Sequence, residues 1–322
     1  MNKNFNLMMF KTVLIMGVVI SMSSNNWMSM WLGMEISMMS FIPLMSSKKK
    51  LSSESCMKYY IIQSLSSSIM MMGIIMISLN LNFNMILILS IFMKLGMTPF
   101  HNWVLSIVEG MNYSNMFILF TFMKMAPMNM MSYINVEIQL IVMLGLIISS
   151  VSAINQNSIK KIMSYSSIYN MSMMMTSISN WTSWLTYMTM YLVANFMMMK
   201  MCEMMNLNFI NQIYMNNYNL MNKIMMWIFM TSISGMPPMI TFMMKMIIME
   251  EMITTNQYMM LYIIISTSVI TMFFYMRMSL LSLMFFLILP KWMMTKKKKI
   301  KNEYLLISVM IYPITCCLKS FY

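Results

Sequence analysis

Four charged side chains stand deep inside apolar runs of this sequence, and proton transfer is the chemistry they suit. Glu35 lies in WLGMEISMMSFIPLM, Lys94 in ILILSIFMKLGMTPF, Lys124 in FILFTFMKMAPMN and Lys245 in MTSISGMPPMITFMMK. A charge at mid-depth in a bilayer costs about 2.5–3.5 kcal/mol even on the lenient insertion scale, so it is seldom kept without a partner or a use. Desolvation disfavours the charged form of a lysine, and a nearby carboxylate favours it again. Moving the carboxylate, or wetting the site, therefore switches the hold of the amine on its proton. Arginine is always protonated and cannot be switched in this way. Glu35 is the only acid at mid-depth for three such lysines. That shortage points to a chain through which charge is shifted, against the plainer alternative of static packing charges.

Two of these lysines share a second feature. Pro99 follows Lys94 by five residues in KLGMTPFHNW, and Gly235, Pro237 and Pro238 precede Lys245. Proline removes a backbone donor and clashes with the preceding turn. The exposed half-helix ends then become polar sites at the membrane midplane. Pro127 gives Lys124 a milder version of this context, one that a simple kink also explains. His101, the only histidine, stands beside the first break. An accessory role in proton transfer and a structural hydrogen bond are both open for it.

The elements that must position these residues are membrane spans. Hydrophobic residues make up 60% of the 322 and charged residues 9%, and the mean hydropathy is +0.69. Soluble domains carry about 25% charged residues, so the chain lacks the polar surface that water requires. A spanning helix needs roughly 20 apolar residues. That rule places spans near 7–24, 27–45, 56–79, 85–108, 115–133, 137–154, 162–179, 183–202, 223–249, 257–289 and 304–320. The runs lack two-residue alternation, and a bilayer leaves no backbone group unpaired, so they are helices. The expected fold is all-α, a polytopic bundle of about 11 transmembrane helices. Two of these, near 85–108 and 223–249, are discontinuous. The chain reads as a single membrane domain over 1–322, with a core at about 27–250 and C-terminal helices over about 257–322. The interrupted spans are the fourth and the ninth, and an odd offset of this kind fits an internal duplication with inverted topology.

Eleven spans put the connections alternately on two sides. One side collects Lys3, Lys48, Lys49, Lys50, Lys58, Lys160, Lys161, Lys223, Lys291, Lys296, Lys297, Lys298, Lys299 and Lys301, fourteen of the 21 basic residues. The other collects Lys319 beside Glu137, Glu250 and Glu251. The positive-inside rule makes the first side the cytoplasm-equivalent one, with the N-terminus on it and the C-terminus opposite. Lys11 and Lys200 lie near the basic ends of their helices and can snorkel. Arg277, in the long tenth run, is open between snorkelling and a buried role. The net charge of +13 is spread between apolar runs and does not form the basic face of a nucleic-acid binder. The lysine runs read as topological anchors at the lipid surface. Cys56, Cys202, Cys316 and Cys317 lack metal-ligand spacing, and no metal site is expected. The first run, after Lys3 and Lys11, reads as a span retained in the mature protein because no small-residue cleavage site follows it. The 61 methionines act as flexible apolar filler, and their excess resembles the genetic code of animal mitochondria.

With these residues assembled, the sequence resembles the subunit 2 family of mitochondrial NADH dehydrogenase (ubiquinone), the respiratory complex I. The resemblance rests on WLGMEISMMSFIPLM, KLGMTPFHNWV, FMKMAPM, KKIMSYSSIYNMSMM and SISGMPPMITFMMK, in family order over most of residues 27–250. It implies an antiporter-like proton channel in the animal eleven-helix form. Glu35 and Lys94 would form the ion pair that governs proton uptake, Lys124 the central relay, and Lys245 the site that passes protons onward. It also implies an inner mitochondrial membrane location, a mitochondrial gene, and other membrane-arm and accessory subunits as partners. FMN and iron–sulfur clusters would belong to other subunits, leaving no cofactor and no redox centre in this chain. The family often carries a histidine where this chain has Asn170, which cannot relay protons in the same way. The alternatives are a stand-alone cation/proton antiporter and a structural membrane scaffold.

Overall fold

The structure, a computed structural model, describes residues 2–47, 49–79, 84–134, 138–215, 220–237 and 239–284. Pro238, the span at 304–320, and the lysines from 291 to 319 lie outside the described residues. Fourteen helices occupy the described part: α1 (Asn2–Ser23), α2 (Trp27–Met45), α3 (Lys50–Ser78), α4 (Asn84–Leu95), α5 (Asn102–Val108), α6 (Tyr113–Phe120), α7 (Phe122–Ser132), α8 (Gln139–Ile154), α9 (Ile159–Thr176), α10 (Trp181–Met205), α11 (Ile210–Met215), α12 (Leu220–Ser234), α13 (Ile240–Thr254) and α14 (Tyr258–Met284). The fold is all-α: these residues include no strand, only an isolated antiparallel bridge between Ser158 and Phe209.

Phe5–Ser23, Trp27–Met45, Lys50–Ser78 and Tyr258–Leu281 are each long and apolar enough to cross a membrane. Three further predicted spans are built from two helices end to end, α4 with α5, α6 with α7, and α12 with α13. The first ten predicted runs thus each coincide with one helix or one such pair. Two boundaries differ for a physical reason. α3 starts at Lys50, ahead of the apolar run, because Glu54 and Lys58 pair at i,i+4 (2.5 Å) on its polar first turns. α12 starts at Leu220, so Lys223, expected at the very start of its span on the basic side, lies in the first turn of the helix and is buried.

The chain divides into two compact units, Met1–Gly145 with Asn170–Trp181, and Leu146–Tyr169 with Thr182–Tyr322. In the first, α1 and α2 cross through small residues. A Cβ at Gly17 would meet the Gly33 carbonyl oxygen at 2.8 Å, and one at Gly33 would meet the Gly17 oxygen at 2.7 Å and the Ser21 nitrogen at 2.8 Å. Gly17-xxx-Ser21 on α1 therefore faces Gly33-xxx-Ser37 on α2, the small-residue pattern that lets membrane helices approach closely. Glu35 lies within the second of these motifs. α7 packs on α1, α2 and α4, and α3 packs on α2, α4 and α5. In the second unit, α14 packs on α11, α12 and α13.

Candidate proton-transfer site

Lys94 is held by the way α4 ends. Gly96 has φ +67, its N–H bonds to the Met93 carbonyl (3.3 Å), and the Met97 N–H bonds to the Phe92 carbonyl (3.1 Å). This is a Schellman stop, in which a left-handed glycine lets the chain turn back on its own helix. The chain resumes as α5 only at Asn102, so the span is interrupted at 96–101, where Pro99 lies. The freed carbonyls find donors from other elements. The Trp103 indole donates to Met93 (3.0 Å), and the Gln63 amide of α3 donates to the Lys94 carbonyl (3.4 Å). Because these backbone groups are satisfied, the Lys94 side chain can serve another purpose.

That side chain donates to Glu35 Oε1 at 3.1 Å. The Lys94 side chain is 4% exposed and that of Glu35 19%, so this is a largely desolvated pair, well removed from a surface salt bridge. The Tyr59 ring packs between Phe41 (5.4 Å, edge-on) and Trp103 (6.2 Å), beside the Glu35 carboxylate.

Lys124 lies on α7, just past a third interruption. The helix breaks at Thr121 (φ −119, ψ −82). Pro127 lies inside α7, where it supplies no N–H and its ring crowds the Met123 carbonyl four residues back. The Thr121 hydroxyl donates to the Phe117 carbonyl (2.6 Å). The span is thus interrupted at Thr121, while α7 continues through Pro127. The Lys124 ammonium lies 5.5 Å from the Phe120 ring centroid, and the residue is 4% exposed.

A cavity of about 20 Å³ connects the two lysines. Its lining includes both Lys94 and Lys124, with Ser37, Tyr59, Gln63, Trp103 and Pro127. A water needs about 10–15 Å³ of such space and at least two polar partners, and this cavity offers both. The first unit thus brings Lys94, paired to Glu35, and Lys124 around room for one water.

Lys245 is built differently. α12 ends at Ser234, and Gly235 follows with φ +79. The Thr241 hydroxyl takes the freed Ser232 carbonyl, and the Lys245 ammonium donates to the Ser234 carbonyl at 2.9 Å. A cation at the carboxyl end of a helix is favoured by the helix dipole. Nζ also reaches Thr271 Oγ1 of α14 (3.4 Å) and lies 5.7 Å from the Tyr169 ring centroid. Gly235 has two reasons to be glycine: its left-handed backbone, and a Cβ there would sit 2.8 Å from Lys245 Nζ. Gly235→Ala is expected to cost about 1–2 kcal/mol in backbone strain and to push Nζ off the Ser234 carbonyl.

His101 stands at the start of α5, half-buried, with its imidazole beside the Pro99 backbone. Lys11 is exposed on α1, Lys200 pairs with Glu203 at 3.1 Å, and Arg277 is half-buried on α14. Sequence reasoning missed Tyr59, Gln63, Thr121, Tyr169 and Thr271. One signal was available: a buried polar residue repeating on a helical face, as Ser52, Ser55, Tyr59, Gln63 and Ser66 do along α3.

A helix bundle with interrupted spans and buried lysines beside the breaks defines the class of antiporter-like membrane proteins. Residues 24–86 and 78–271 match the family described as NADH:quinone oxidoreductase/Mrp antiporter, TM. NADH-ubiquinone oxidoreductase chain 2 of Anopheles gambiae is 38% identical over 253 residues, covering 73% of this chain and 74% of that protein. The protein of the same name from Locusta migratoria is 34% identical over 254 residues, covering 74% of each. The fold matches a chain of respiratory complex I from Thermus thermophilus with a TM-score of 0.80 over 97% of this chain and 78% of that one, at 16% identity. It also matches a chain of the Mrp complex from Dietzia sp., with a TM-score of 0.72 over 85% of this chain and 59% of that one, at 12% identity. This chain belongs to the NADH:quinone oxidoreductase/Mrp antiporter family and, within it, to the NADH-ubiquinone oxidoreductase chain 2 proteins.

Proposed function

We propose that this chain translocates protons as a membrane subunit of NADH:ubiquinone oxidoreductase, and that Glu35, Lys94, Lys124 and Lys245 carry the transfer. The observation that supports the assignment most directly is the small cavity lined by both Lys94 and Lys124, with Lys94 already paired to Glu35. Close to Lys94, the Glu35 carboxylate holds a proton on that amine. As the carboxylate withdraws, the buried ammonium loses its compensation and gives up a proton. One water in the cavity passes it on, accepting a proton from Lys94 and releasing one to a neutral Lys124 amine. Charge has then moved one station and no bond has changed except N–H and O–H. Lys245 is the following station, and its ammonium is steadied by a helix carboxyl end instead of an acid.

The redox chemistry lies in other subunits, which hold FMN and iron–sulfur clusters, and this chain contributes none. Its location is the inner mitochondrial membrane with the lysine-rich loops toward the matrix. Protease applied from the matrix side should cut at the Lys296–Lys301 run, and cutting from the opposite face alone would invert this orientation. The assignment as a subunit has its own test. The isolated chain in lipid vesicles should move no protons against sodium or potassium gradients, while vesicles holding the whole complex should acidify on NADH addition. Cation-driven proton movement by the isolated chain would make it a stand-alone antiporter.

A further inference from the structure

The second unit buries more hydroxyl groups than packing requires. On α14, Thr267, Thr271, Tyr275 and Ser279 follow one another at four-residue steps and so share a helical face, and none is more than 3% exposed. The opposite side of the same helix presents Tyr262, Ile265, Val269, Phe273 and Leu280 outward. α10 repeats the arrangement with Tyr187, Tyr191, Asn195 and Cys202, again all buried, and α9 adds Ser166 and Tyr169. α14 thus has a polar stripe inside and an apolar face outside.

The stripes meet. The Tyr275 hydroxyl donates to Met163 Sδ at 3.6 Å and lies close to Ser166, Tyr191 and Cys202. Tyr187 lies close to both Tyr191 and Tyr169. The Tyr169 hydroxyl sits against Thr267 and Thr271 without a well-aligned bond to either, and Thr271 accepts from Lys245. α9 begins and α10 ends at the same end of this unit, where the Ser158–Phe209 bridge ties their loops. Met163 is one turn in from that end and Tyr169 about 15 Å in. The series therefore runs from near one end of the unit to Lys245.

Phenylalanine would fill the same volumes without a buried hydroxyl, whose desolvation costs about 1–3 kcal/mol when it is imperfectly paired. Yet the buried aromatics of this unit include Tyr165, Tyr169, Tyr187, Tyr191 and Tyr275 beside Phe229 and Phe274. Asn195 Nδ2 is likewise buried without an aligned acceptor, and polar atoms of this kind are ordinarily met by water. We propose that Tyr275, Tyr191 and Tyr169, with Thr271 and intervening waters, form a proton wire that reprotonates Lys245 from the end of the unit where α9 begins. The proposal rests on the reading of Lys245 as a proton-transfer residue. In the step, the Thr271 hydroxyl turns from the Ser268 carbonyl, to which it donates at 2.8 Å, and gives its proton to the neutral Lys245 amine as it accepts one from Tyr169. Each hydroxyl outward does the same, and the outermost takes a proton from water at that end. One proton arrives on Nζ, every hydroxyl regains its own, and each must rotate back before the next transfer.

The test uses the assembled complex with Tyr191→Phe plus Tyr275→Phe, beside Lys245→Ala. The double variant should assemble normally, since the rings stay, yet its NADH-driven proton pumping should fall about tenfold or more. Normal pumping by the double variant with loss in Lys245→Ala would overturn the wire and leave the relay standing. Normal pumping in both would overturn the relay too. If the double variant fails to assemble, Tyr275→Phe alone decides: the wire predicts a larger solvent deuterium isotope effect on turnover, and an unchanged effect with normal pumping contradicts it.

Discussion

Glu35→Gln is expected to abolish most coupled turnover while changing the shape of the protein very little. Glutamine fills the same space between Gly33 and Ser37, so the α1–α2 crossing survives. What it removes is the negative charge 3.1 Å from Lys94 Nζ. A buried ammonium left without its partner costs about 3–5 kcal/mol, and under the proposed mechanism the site loses the group whose approach and withdrawal controls the proton. NADH-driven pumping should fall about a hundredfold, in the range of a lost general acid–base group, and the level of assembled complex should drop. Restoring neutrality separates the two effects. Glu35→Gln with Lys94→Met should recover assembly, because neither partner is left charged, and should still not pump. Wild-type pumping in Glu35→Gln would mean that the pair is a packing feature.

Much of this arrangement is legible in the sequence, for physical reasons particular to a membrane. A charge at mid-depth is so costly that Glu35, Lys94, Lys124 and Lys245 declare themselves by position alone. The prolines and glycines beside Lys94 and Lys245 mark backbone breaks, and the structure places breaks at both. The run 27–45 coincides with α2 residue for residue because its polar flanks, SSNN and SSKKK, end it sharply. Other features depend on what meets across the bundle. Glu35 and Lys94 are 59 residues apart, and no local pattern shows that they touch. The break at Thr121 lies six residues ahead of Pro127, at a residue whose type does not announce it. Gln63 and Trp103 owe their importance to carbonyls freed by a Schellman stop on another helix. The polar stripe of α14 is written plainly at four-residue steps but is masked by the apolar residues between.

Lys124→Ala is the second large effect expected. Lys124 lines the cavity shared with Lys94, so truncation removes the acceptor while leaving the Glu35–Lys94 pair intact. The α6–α7 break should persist, since it lies at Thr121. A proton leaving Lys94 then has no station to reach, and coupled turnover should fall by about a hundredfold. The most direct measurement is NADH-driven proton pumping, scored alongside quinone reduction, in vesicles holding fully assembled Lys124→Ala complex. Near-complete loss of pumping with normal assembly is the result this account predicts; pumping at the wild-type rate would contradict it.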